Sequence, residues 1–491
     1  MTPPNLLFLY TDEQAAATLA AYGNNAIAMP NLNRLASQGT VFEQAYVTQP
    51  VCTPSRASLL TGLYPHTHGC DRNNLPLNYE IPCLPEMIPP RVYETAHFGK
   101  WHLGDEVFPQ HGFREWRSID DFYRAYYRPW RPKEVLCDYH AFLTAHGKRP
   151  QNGSFFTRGE TARFPESLSK PAFLAQETVR FLRDHRNRPF CLFVNFFEPH
   201  MPFFGPRDGQ YDPRHIPLPP NFGGGEDIGA PLKVRLLREH YCRHGHSGFP
   251  LQTPDDWRAM IARYWGLCSL VDTHVGTILE ALEAEGLADR TLVVFTSDHG
   301  DMMGSHGLIA KCVLYEEAIR VPLLLRGPGV PVGRRIRGPV SHVDLVPTLL
   351  DLLGFDRPAH LQGISQRAAL EGGTALMPEG GVVVEWNGPN SGIWADESRS
   401  PHLSEWMQAV ADRETLQRVM TAPSRTWISA DGWRFTWNVA GEHELYDRHT
   451  DPGERHNRFG DPACKDRVRA MAEAIRNWQR RTADPLVLPP L

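Results

Sequence analysis

Residues 291–301 read TLVVFTSDHGD, an apolar run that ends in two acidic side chains and a histidine. Three other apolar runs end in a similar way: residues 6–10 lead to Asp12 and Glu13, residues 93–98 to Lys100 and His102, and residues 190–197 to Glu198 and His200. Helical patterns such as residues 172–183 and 257–285 separate these runs. Continuous apolar strands of this length are typical of a sheet that helices cover on both faces. The sequence therefore predicts an α/β fold.

The four polar clusters are expected at one place in this fold. In open α/β sheets, ligands bind beyond the carboxyl ends of the strands, where these clusters would lie. Together, the carboxylates of Asp12, Glu13 and Asp298 with the imidazole of His299 resemble a hard, oxygen-rich cation site. Such a site accepts Ca²⁺ or Mg²⁺, and the imidazole also suits Mn²⁺. Taken singly, Asp12 could be a helix cap and Glu13 a solvated surface residue.

The run Cys52-Thr53-Pro54-Ser55-Arg56 precedes an apolar stretch, residues 57–64, that is typical of a helix. A cysteine at a helix N-terminus lies where free backbone N–H groups and the helix dipole favour negative charge, and Arg56, one turn on, adds to that field. The position therefore suits an anionic substrate. The alternative is a structural helix start, in which Cys52 is a small buried apolar residue.

Composition narrows the class of protein. The chain has 491 residues, a net charge of −5 and no long basic run, which argues against nucleic-acid binding as the main activity. No apolar run approaches the roughly eighteen residues of a membrane span. The first residues, MTPPNLLFLYTDEQ, lack a basic leader, so we expect a cytoplasmic protein without a membrane anchor. Nine cysteines without a CxxC pair favour reduced thiols over a disulfide framework or a four-cysteine zinc site.

Turn residues divide the chain into two parts. Residues 341–354, SHVDLVPTLLDLLG, read as a helix closed by Gly354, and residues 355–381 beyond it have the turn signals of a linker. We expect a large domain over residues 1–360 and a smaller one over residues 381–491, with an antiparallel sheet and a terminal helix at 466–480. Residues 321–325 read as one buried strand. Two weakly periodic inserts, residues 115–163 and 205–254, are expected to be long loops.

Residues 51–69, VCTPSRASLLTGLYPHTHG, closely resemble the signature of the sulfatases, the formylglycine-dependent type I enzymes of the alkaline phosphatase superfamily. In that family the motif cysteine is oxidised after translation to formylglycine, an aldehyde that hydrates to a geminal diol. Residues 5–14 and 291–301 resemble the two metal-binding segments of the family, and residues 99–104, GKWHLG, resemble a third motif. The likeness runs nearly end to end, apart from the two inserts. It implies a large central sheet, mixed and mostly parallel, flanked by helices, with a smaller C-terminal α+β domain.

The resemblance also implies roles for the candidate residues. The ligands of one divalent cation, most readily Ca²⁺, would be Asp12, Glu13, Asp298, His299 and the modified Cys52. Many members have two adjacent aspartates in the first metal segment, whereas this chain has Asp12 followed by Glu13. The remaining roles are as follows: Lys100 and Lys311 would bind sulfate oxygens, His102 would hold the diol or take its proton, His200 would protonate the leaving alcohol, and Arg56 with the cation would favour the alkoxide.

The residues themselves leave structural alternatives open. Lys100 and His102 flank Trp101, so on an extended segment both would point to the same side. A snorkelling lysine and a core histidine would give the same pattern. Lys311 could be a surface lysine, and His200 could brace a loop between prolines.

The implied activity is hydrolysis of a sulfate monoester, on a sulfated sugar or an aryl sulfate, after a formylglycine-generating maturation enzyme has modified Cys52. Inorganic sulfate would be released. The first insert is crowded with aromatic and basic residues that could stack on a sugar or aryl ring or could pin the loop to the body: Trp116, Phe122, Tyr123, Tyr126, Tyr127, Arg128, Trp130 and Arg131. Two alternatives are a phosphonate monoester hydrolase or phosphodiesterase of the same superfamily and a non-catalytic anion-binding relative with unmodified Cys52.

Overall fold

The central sheet has nine strands, which are formed by segments between residues 5 and 341. The computed structural model describes residues 3–225, 227–372, 374–377, 380–388 and 404–491. The strands are β1 Asn5–Asp12, β2 Thr40–Tyr46, β3 Glu94–Gly99, β4 Glu115–Arg117, β5 Phe190–Pro199, β6 Thr291–Ser297, β7 Arg320–Val321, β8 Leu323–Arg326 and β9 Arg334–Ser341. Their spatial order is β4-β3-β5-β1-β6-β8-β2-β7, and β9 pairs with β2. The first five strands of this order are parallel to one another, whereas β8 is antiparallel to both β6 and β2.

Helices cover both faces of this sheet. The α-helices are α1 Pro30–Ser37, α2 Cys52–Thr61, α3 Pro65–His68, α4 Asp138–Ala145, α5 Arg158–Thr161, α6 Lys170–Asp184, α7 Leu232–His244, α8 Pro254–Ala284, α9 Glu316–Ile319, α10 Leu345–Leu353, α11 Arg367–Glu371, α12 Glu405–Gln408, α13 Arg413–Thr421 and α14 Lys465–Thr482. Strand β1 is buried on both of its faces. Leu7 and Leu9 pack with α1, α6 and α8, whereas Leu6 and Phe8 pack with α2 and α10. Alternate side chains of a strand point to opposite faces, so a strand buried on both sides is apolar throughout.

The C-terminal part carries a second, separate sheet. Its antiparallel strands are β10 Gly381–Trp386, β11 Ser424–Ser429, β12 Trp433–Asn438 and β13 Glu444–Asp447, in that order. Ile475 and Trp478 of α14 pack on Phe435 and Trp437 of β12. The predicted fold class, a mostly parallel sheet flanked by helices with a smaller α+β unit after it, is confirmed. The domain boundaries at residues 360 and 381 stay a prediction.

The described residues correct two expectations. The inserts predicted as long loops contain β4, α4 and α5 in the first and α7 in the second. Helix α7 is held because Val234 and Leu237 join a buried cluster with Val419 and Met420 of α13. The strand predicted over residues 321–325 is divided into β7 and β8, since Pro322 lies between them and has no N–H to donate to a ladder.

The predicted linker, residues 355–381, includes α11, whose Ala369 and Leu370 are buried in the core shared with α2 and α10. Of the helices in the described ranges, none has the length and apolar character required to cross a bilayer.

Candidate active site

The acidic residues meet because their strands are parallel neighbours. Thr11 at the end of β1 pairs with Ser297 at the end of β6, so Asp12 and Asp298 follow on the same edge of the sheet. The Asp298 N–H donates to the Thr11 carbonyl at 3.0 Å, and the Glu13 N–H donates to Asp298 Oδ1 at 3.1 Å. Both carboxylates are fully buried. The structure thus brings these acidic side chains together at one edge of the sheet, and their joint function stays a prediction.

Cys52 is the first residue of α2 and lies against this acidic pair. Val51 before it is extended, and Gly62 ends the helix in the left-handed conformation at φ 69°. The Cys52 Sγ lies 3.3 Å from His299 Nε2 and 3.8 Å from Asp12 Oδ1. One ligand atom from each of Asp12, Cys52, Asp298 and His299 falls within 4.8 Å of the others. The first residue of the helix is therefore in direct contact with the acidic centre.

Arg56 bonds to the acidic residues at the ends of both β1 and β6. Its Nη2 donates to Asp12 Oδ2 at 2.8 Å, and its Nε donates to Asp298 Oδ2 at 2.9 Å. Its Nη1 donates to Asn195 Oδ1 at 2.7 Å and to the Lys100 carbonyl at 2.8 Å. Every guanidinium nitrogen is thus bonded inside the protein, which explains how a fully buried arginine is accommodated.

Two lysines and His200 complete the charged centre. Lys100 Nζ forms an ion pair with Asp12, and Lys311 Nζ lies 3.2 Å from Glu13 Oε2. His200 Nε2 lies 3.6 Å from the same Glu13 oxygen. The other ring nitrogen, Nδ1, is 2.7 Å from the Met201 carbonyl. Because a carbonyl only accepts, Nδ1 carries a proton and Nε2 is the atom that faces the site.

His102 reaches the site from a loop rather than from an extended strand. Strand β3 ends at Gly99, and His102 has a left-handed backbone with φ 59°, so the predicted alternation of Lys100 and His102 on an extended segment is wrong. The conformation is held by Glu106, which accepts the N–H groups of Trp101 and His102 at 2.8 and 2.7 Å.

The His102 ring is nevertheless oriented by two neighbours. It stacks on Tyr123 with the centroids 4.1 Å apart, and its Nε2 lies 2.8 Å from Asn74 Oδ1. With Asn74 as the acceptor, Nε2 carries the proton and Nδ1 is left as the basic nitrogen. That Nδ1 is buried and has no hydrogen-bond partner among the described residues. The His102 carbonyl accepts from Thr53 Oγ1 at 2.7 Å, which ties this loop to the start of α2.

The electrostatics follow from burial and close charge. Burial alone would raise the pKa of Asp12, but Lys100 and the other cations hold that pKa well below its usual range. Burial raises the pKa of Glu13 to about 8, although Lys311 opposes this. For the two histidines, burial with a nearby lysine lowers the pKa well below the ordinary value, the lysine being Lys100 for His102 and Lys311 for His200.

The residues present fit a hard divalent cation. Glu13 Oε1 is buried and lacks a hydrogen-bond partner in the described part of the chain, which is unusual for a carboxylate oxygen. Glu13 also has φ 70°, a left-handed conformation that is uncommon for a non-glycine residue. Ligand atoms of Asp12, Asp298, His299 and Cys52 form one cluster, and those of Asp12, Glu13 and His200 form a second. Their carboxylate oxygens and imidazole nitrogens match the preferences of Ca²⁺, Mg²⁺ or Mn²⁺.

Sequence reasoning missed several residues of the site. Asn195 is a polar residue inside the apolar run of β5, and that interruption was a readable signal for a functional contact. Asn74 and Glu106 carry no such signal, because their role depends on loops that fold back on residues 100–102. Tyr123 was one of many aromatic residues in the first insert, and nothing in the sequence distinguished it from the others.

The comparisons with known proteins identify the family of the chain. The family model described as Sulfatase matches residues 4–355. An uncharacterised sulfatase of Escherichia coli, YidJ, is 28% identical, with 99% of this chain and 89% of that protein covered. An N-acetylglucosamine-6-O-sulfatase of Bacteroides thetaiotaomicron is 24% identical over 98% of this chain and 87% of that protein.

One solved structure shows the likeness of fold. A phosphonate monoester hydrolase from Silicibacter pomeroyi superposes with a TM-score of 0.78 at 23% identity, covering 98% of this chain and 96% of that one. The family match spans well over half of the residues, including every strand of the central sheet. The resemblance seen in residues 51–69 thus extends to the whole large sheet, and the chain belongs to the sulfatase family of hydrolases.

Proposed function

We propose that the protein hydrolyses a sulfate monoester of a sugar or aryl alcohol through a formylglycine made from Cys52, and that it releases inorganic sulfate. The position of Cys52 carries this proposal: it begins a buried helix and lies within contact of Asp12, Asp298 and His299. Membership of the sulfatase family supports the reaction class. The N-acetylglucosamine-6-O-sulfatase relative supports a sulfated sugar as the substrate class.

Asp12, Glu13, Asp298 and His299, with an oxygen of the modified residue 52, would hold one divalent cation, for which Ca²⁺ is the first choice. Formylglycine supplies an oxygen nucleophile when hydrated, and the cation supplies Lewis acidity toward the sulfate oxygens. Modification requires a formylglycine-generating maturation enzyme as a partner. Overall, one ester and one water give one alcohol and one hydrogen sulfate.

The chain's own residues bind the sulfate and move protons. Lys100 and Lys311 form ion pairs with Asp12 and Glu13, respectively. Both ammonium groups can turn to the oxygens of an incoming sulfate. Arg56 positions Asp12 and Asp298, since all its nitrogens already have partners. Its expected help to the alkoxide would therefore act through these two carboxylates.

Two histidines are suited to the two proton transfers. His102 takes a proton at Nδ1, the nitrogen without a partner. His200 gives a proton from Nε2 to the leaving alcohol, in the imidazolium form that a bound anionic ester favours.

Two measurements test the function. Peptide mass spectrometry across residues 51–56, after co-expression with a maturation enzyme, should find the aldehyde in place of the thiol. Matured protein should then release sulfate from an aryl sulfate much faster than it cleaves a matched aryl phosphonate. Faster cleavage of the phosphonate would assign the protein to the phosphonate hydrolases, and a persistent thiol with no turnover would make it a non-catalytic relative.

A further inference from the structure

Arg158, the first residue of α5, lies beside the catalytic centre although the first insert gave no sign of it. Its guanidinium carbon lies 4.6 Å from the ring centroid of Phe122, 5.1 Å from that of Tyr123 and 4.8 Å from that of Phe197. Its Nε donates to Asp120 Oδ2 at 2.8 Å. Three aromatic faces and one carboxylate therefore fix the guanidinium in place.

The same aromatic rings contact the residues of the catalytic centre. Lys100 Nζ lies 5.3 Å from the Phe197 ring, and the His200 ring lies 4.8 Å from it. Tyr123 is the ring that stacks on His102. Arg158 is thus one aromatic ring away from the proposed sulfate-binding lysine and from both proposed proton-transfer histidines.

The surroundings of Arg158 leave part of its hydrogen-bonding capacity unused. Its Nη2 is buried and has no hydrogen-bond partner among the described residues. Other atoms of the Arg158 side chain face solvent, since the side chain as a whole keeps 21% of its surface exposed and Phe122 beside it is 55% exposed. A buried guanidinium N–H without a partner is unfavourable, and a carboxylate or sulfate is the group whose geometry matches the guanidinium fork.

His200 relates this arginine to the leaving alcohol. Arg158, Lys170 and His200 line one small cavity of about 20 Å³, and the Lys170 Nζ lies 4.1 Å from the Phe197 ring. If His200 protonates the leaving oxygen, substituents of the alcohol lie on this side of the centre. Arg158 lies there in addition to the two lysines proposed for the sulfate ester itself.

We propose that Arg158 forms a second anion-binding subsite, which binds a carboxylate or a second sulfate carried by the alcohol of the substrate. The inference rests on the proposed function and narrows it. The preferred ester is then one with two anionic groups on the same or adjacent sugar units, and the exposed face of Phe122 is available to stack on the sugar ring.

The test compares three aryl sulfates matched in leaving-group pKa: one otherwise neutral, one with a ring carboxylate and one with a second sulfate. Arg158→Gln should lower kcat/KM at least about tenfold for one or both dianionic esters, as expected for loss of a charge-assisted hydrogen bond, and less than about threefold for the neutral one. The dianion with the larger loss identifies the group that Arg158 binds. Arg158→Lys should restore most of the difference, because it keeps the charge.

Arg163→Gln is the matched control, since Arg163 belongs to the same insert and its guanidinium lies over another ring, that of Phe204, at 4.7 Å. It should leave the three rates in their wild-type proportions. Equal loss on all three esters in Arg158→Gln would overturn the proposal and make Arg158 a brace for the loop, as its pairing with Asp120 would allow.

Binding separates this inference from the proposed function. The Cys52→Ala variant cannot turn over substrate, so calorimetry can measure its Kd for each of the three esters with and without Arg158→Gln. Selective weakening for a dianionic ester supports the subsite even if matured enzyme hydrolyses none of them. Unchanged Kd ratios overturn the subsite even if the enzyme proves to be an active sulfatase.

Discussion

Arg56 Nη2 and Asp12 Oδ2 are 2.8 Å apart, and neither side chain has any exposed surface. A buried ion pair of this kind contributes little net stability compared with apolar packing, but removal of one partner leaves an uncompensated charge in the core. In this protein the pair also joins α2 to the end of β1, so the helix that carries Cys52 and the acidic centre depend on the same contact.

Replacement of this arginine should therefore be strongly destabilising. Arg56→Lys keeps the charge but cannot bond Asp12, Asp298 and Asn195 at once, and we expect a loss of about 3 kcal/mol in the free energy of unfolding. Urea denaturation measures it. Arg180→Lys, on the exposed surface of α6, is the control and should change the value by less than about 0.5 kcal/mol. Similar small effects for both variants would contradict the supporting role of Arg56.

Cys52→Ala should abolish turnover while the protein stays folded. The side chain is small and 1% exposed, so its loss creates only a small cavity, and we expect unfolding free energy to fall by no more than about 1.5 kcal/mol. Sulfate release and a thermal melt measure the two effects. If the variant, expressed with the maturation enzyme, still hydrolysed the sulfate ester, residue 52 would be excluded as the source of the nucleophile.

Asp298→Asn should weaken cation binding. The amide retains the shape of the side chain but removes one negative charge next to Asp12 and His299, and we expect the Kd for Ca²⁺ to rise at least about tenfold. Calorimetric titration of metal-stripped protein measures the change. Asp289→Asn, on the exposed turn before β6, should bind the cation as wild type does. If the wild type, Asp298→Asn and Asp289→Asn bound Ca²⁺ with equal affinity, Asp298 would be excluded as a ligand.

His200→Ala should slow the hydrolysis of poor leaving groups most. An alkyl or sugar alcohol needs a proton as it leaves, whereas an activated phenolate does not, so kcat/KM should fall about 100-fold or more for the former and less than about tenfold for the latter. A plot of rate against leaving-group pKa measures this. His215→Ala, an exposed residue, is the control. A uniform loss across the series would contradict proton donation by His200.

His66 should make stability depend on pH. Its Nδ1 lies 2.6 Å from Glu385 Oε1 and its Nε2 lies 3.0 Å from the Thr482 carbonyl, so both ring nitrogens face acceptors and the imidazolium form satisfies both. Burial alone would lower the pKa of His66, but the hydrogen bond to Glu385 raises it above the ordinary value.

The sign of this effect follows from linkage. Because the pKa of His66 is higher in the folded protein than in the unfolded chain, its stabilisation is complete below about pH 6.5 and is lost as pH rises through the folded-state value. The difference in unfolding free energy between wild type and His66→Gln should therefore be larger at pH 6 than at pH 9. An exposed control, His146→Gln, should show no such trend. A difference that grows with pH would refute the imidazolium form.

The strand ends and the cysteine motif could be predicted because each is a local pattern. Apolar runs closed by Asp12 and Asp298 determine both a parallel sheet and the edge where the polar residues meet. The partners of Arg56 could not be predicted, since Asn195 lies 139 positions away and is brought to it only by the pairing of β5 with β1. His102 was assigned to an extended segment because its left-handed backbone depends on Glu106, which no periodicity reveals.

The inserts show the limit of periodicity more directly. Helix α7 looks weakly amphipathic because charged residues interrupt its apolar positions, and its burial depends on α13, far along the chain. Arg158 lacks any sequence signal for the same reason: its environment consists of rings from Phe122, Tyr123 and Phe197, which only the folded chain assembles.

All ten residues of α2 are buried, Cys52 lies against Asp12 and His299, and the neighbouring Thr53 binds the loop of His102. A second protein cannot reach such a thiol without unfolding its host. If Cys52 is modified as proposed, the oxidising enzyme must therefore meet it on the nascent or newly released chain, before the helix docks. Chains that fold too early would escape modification for good, so the active fraction in a cell would be decided by a race between folding and oxidation.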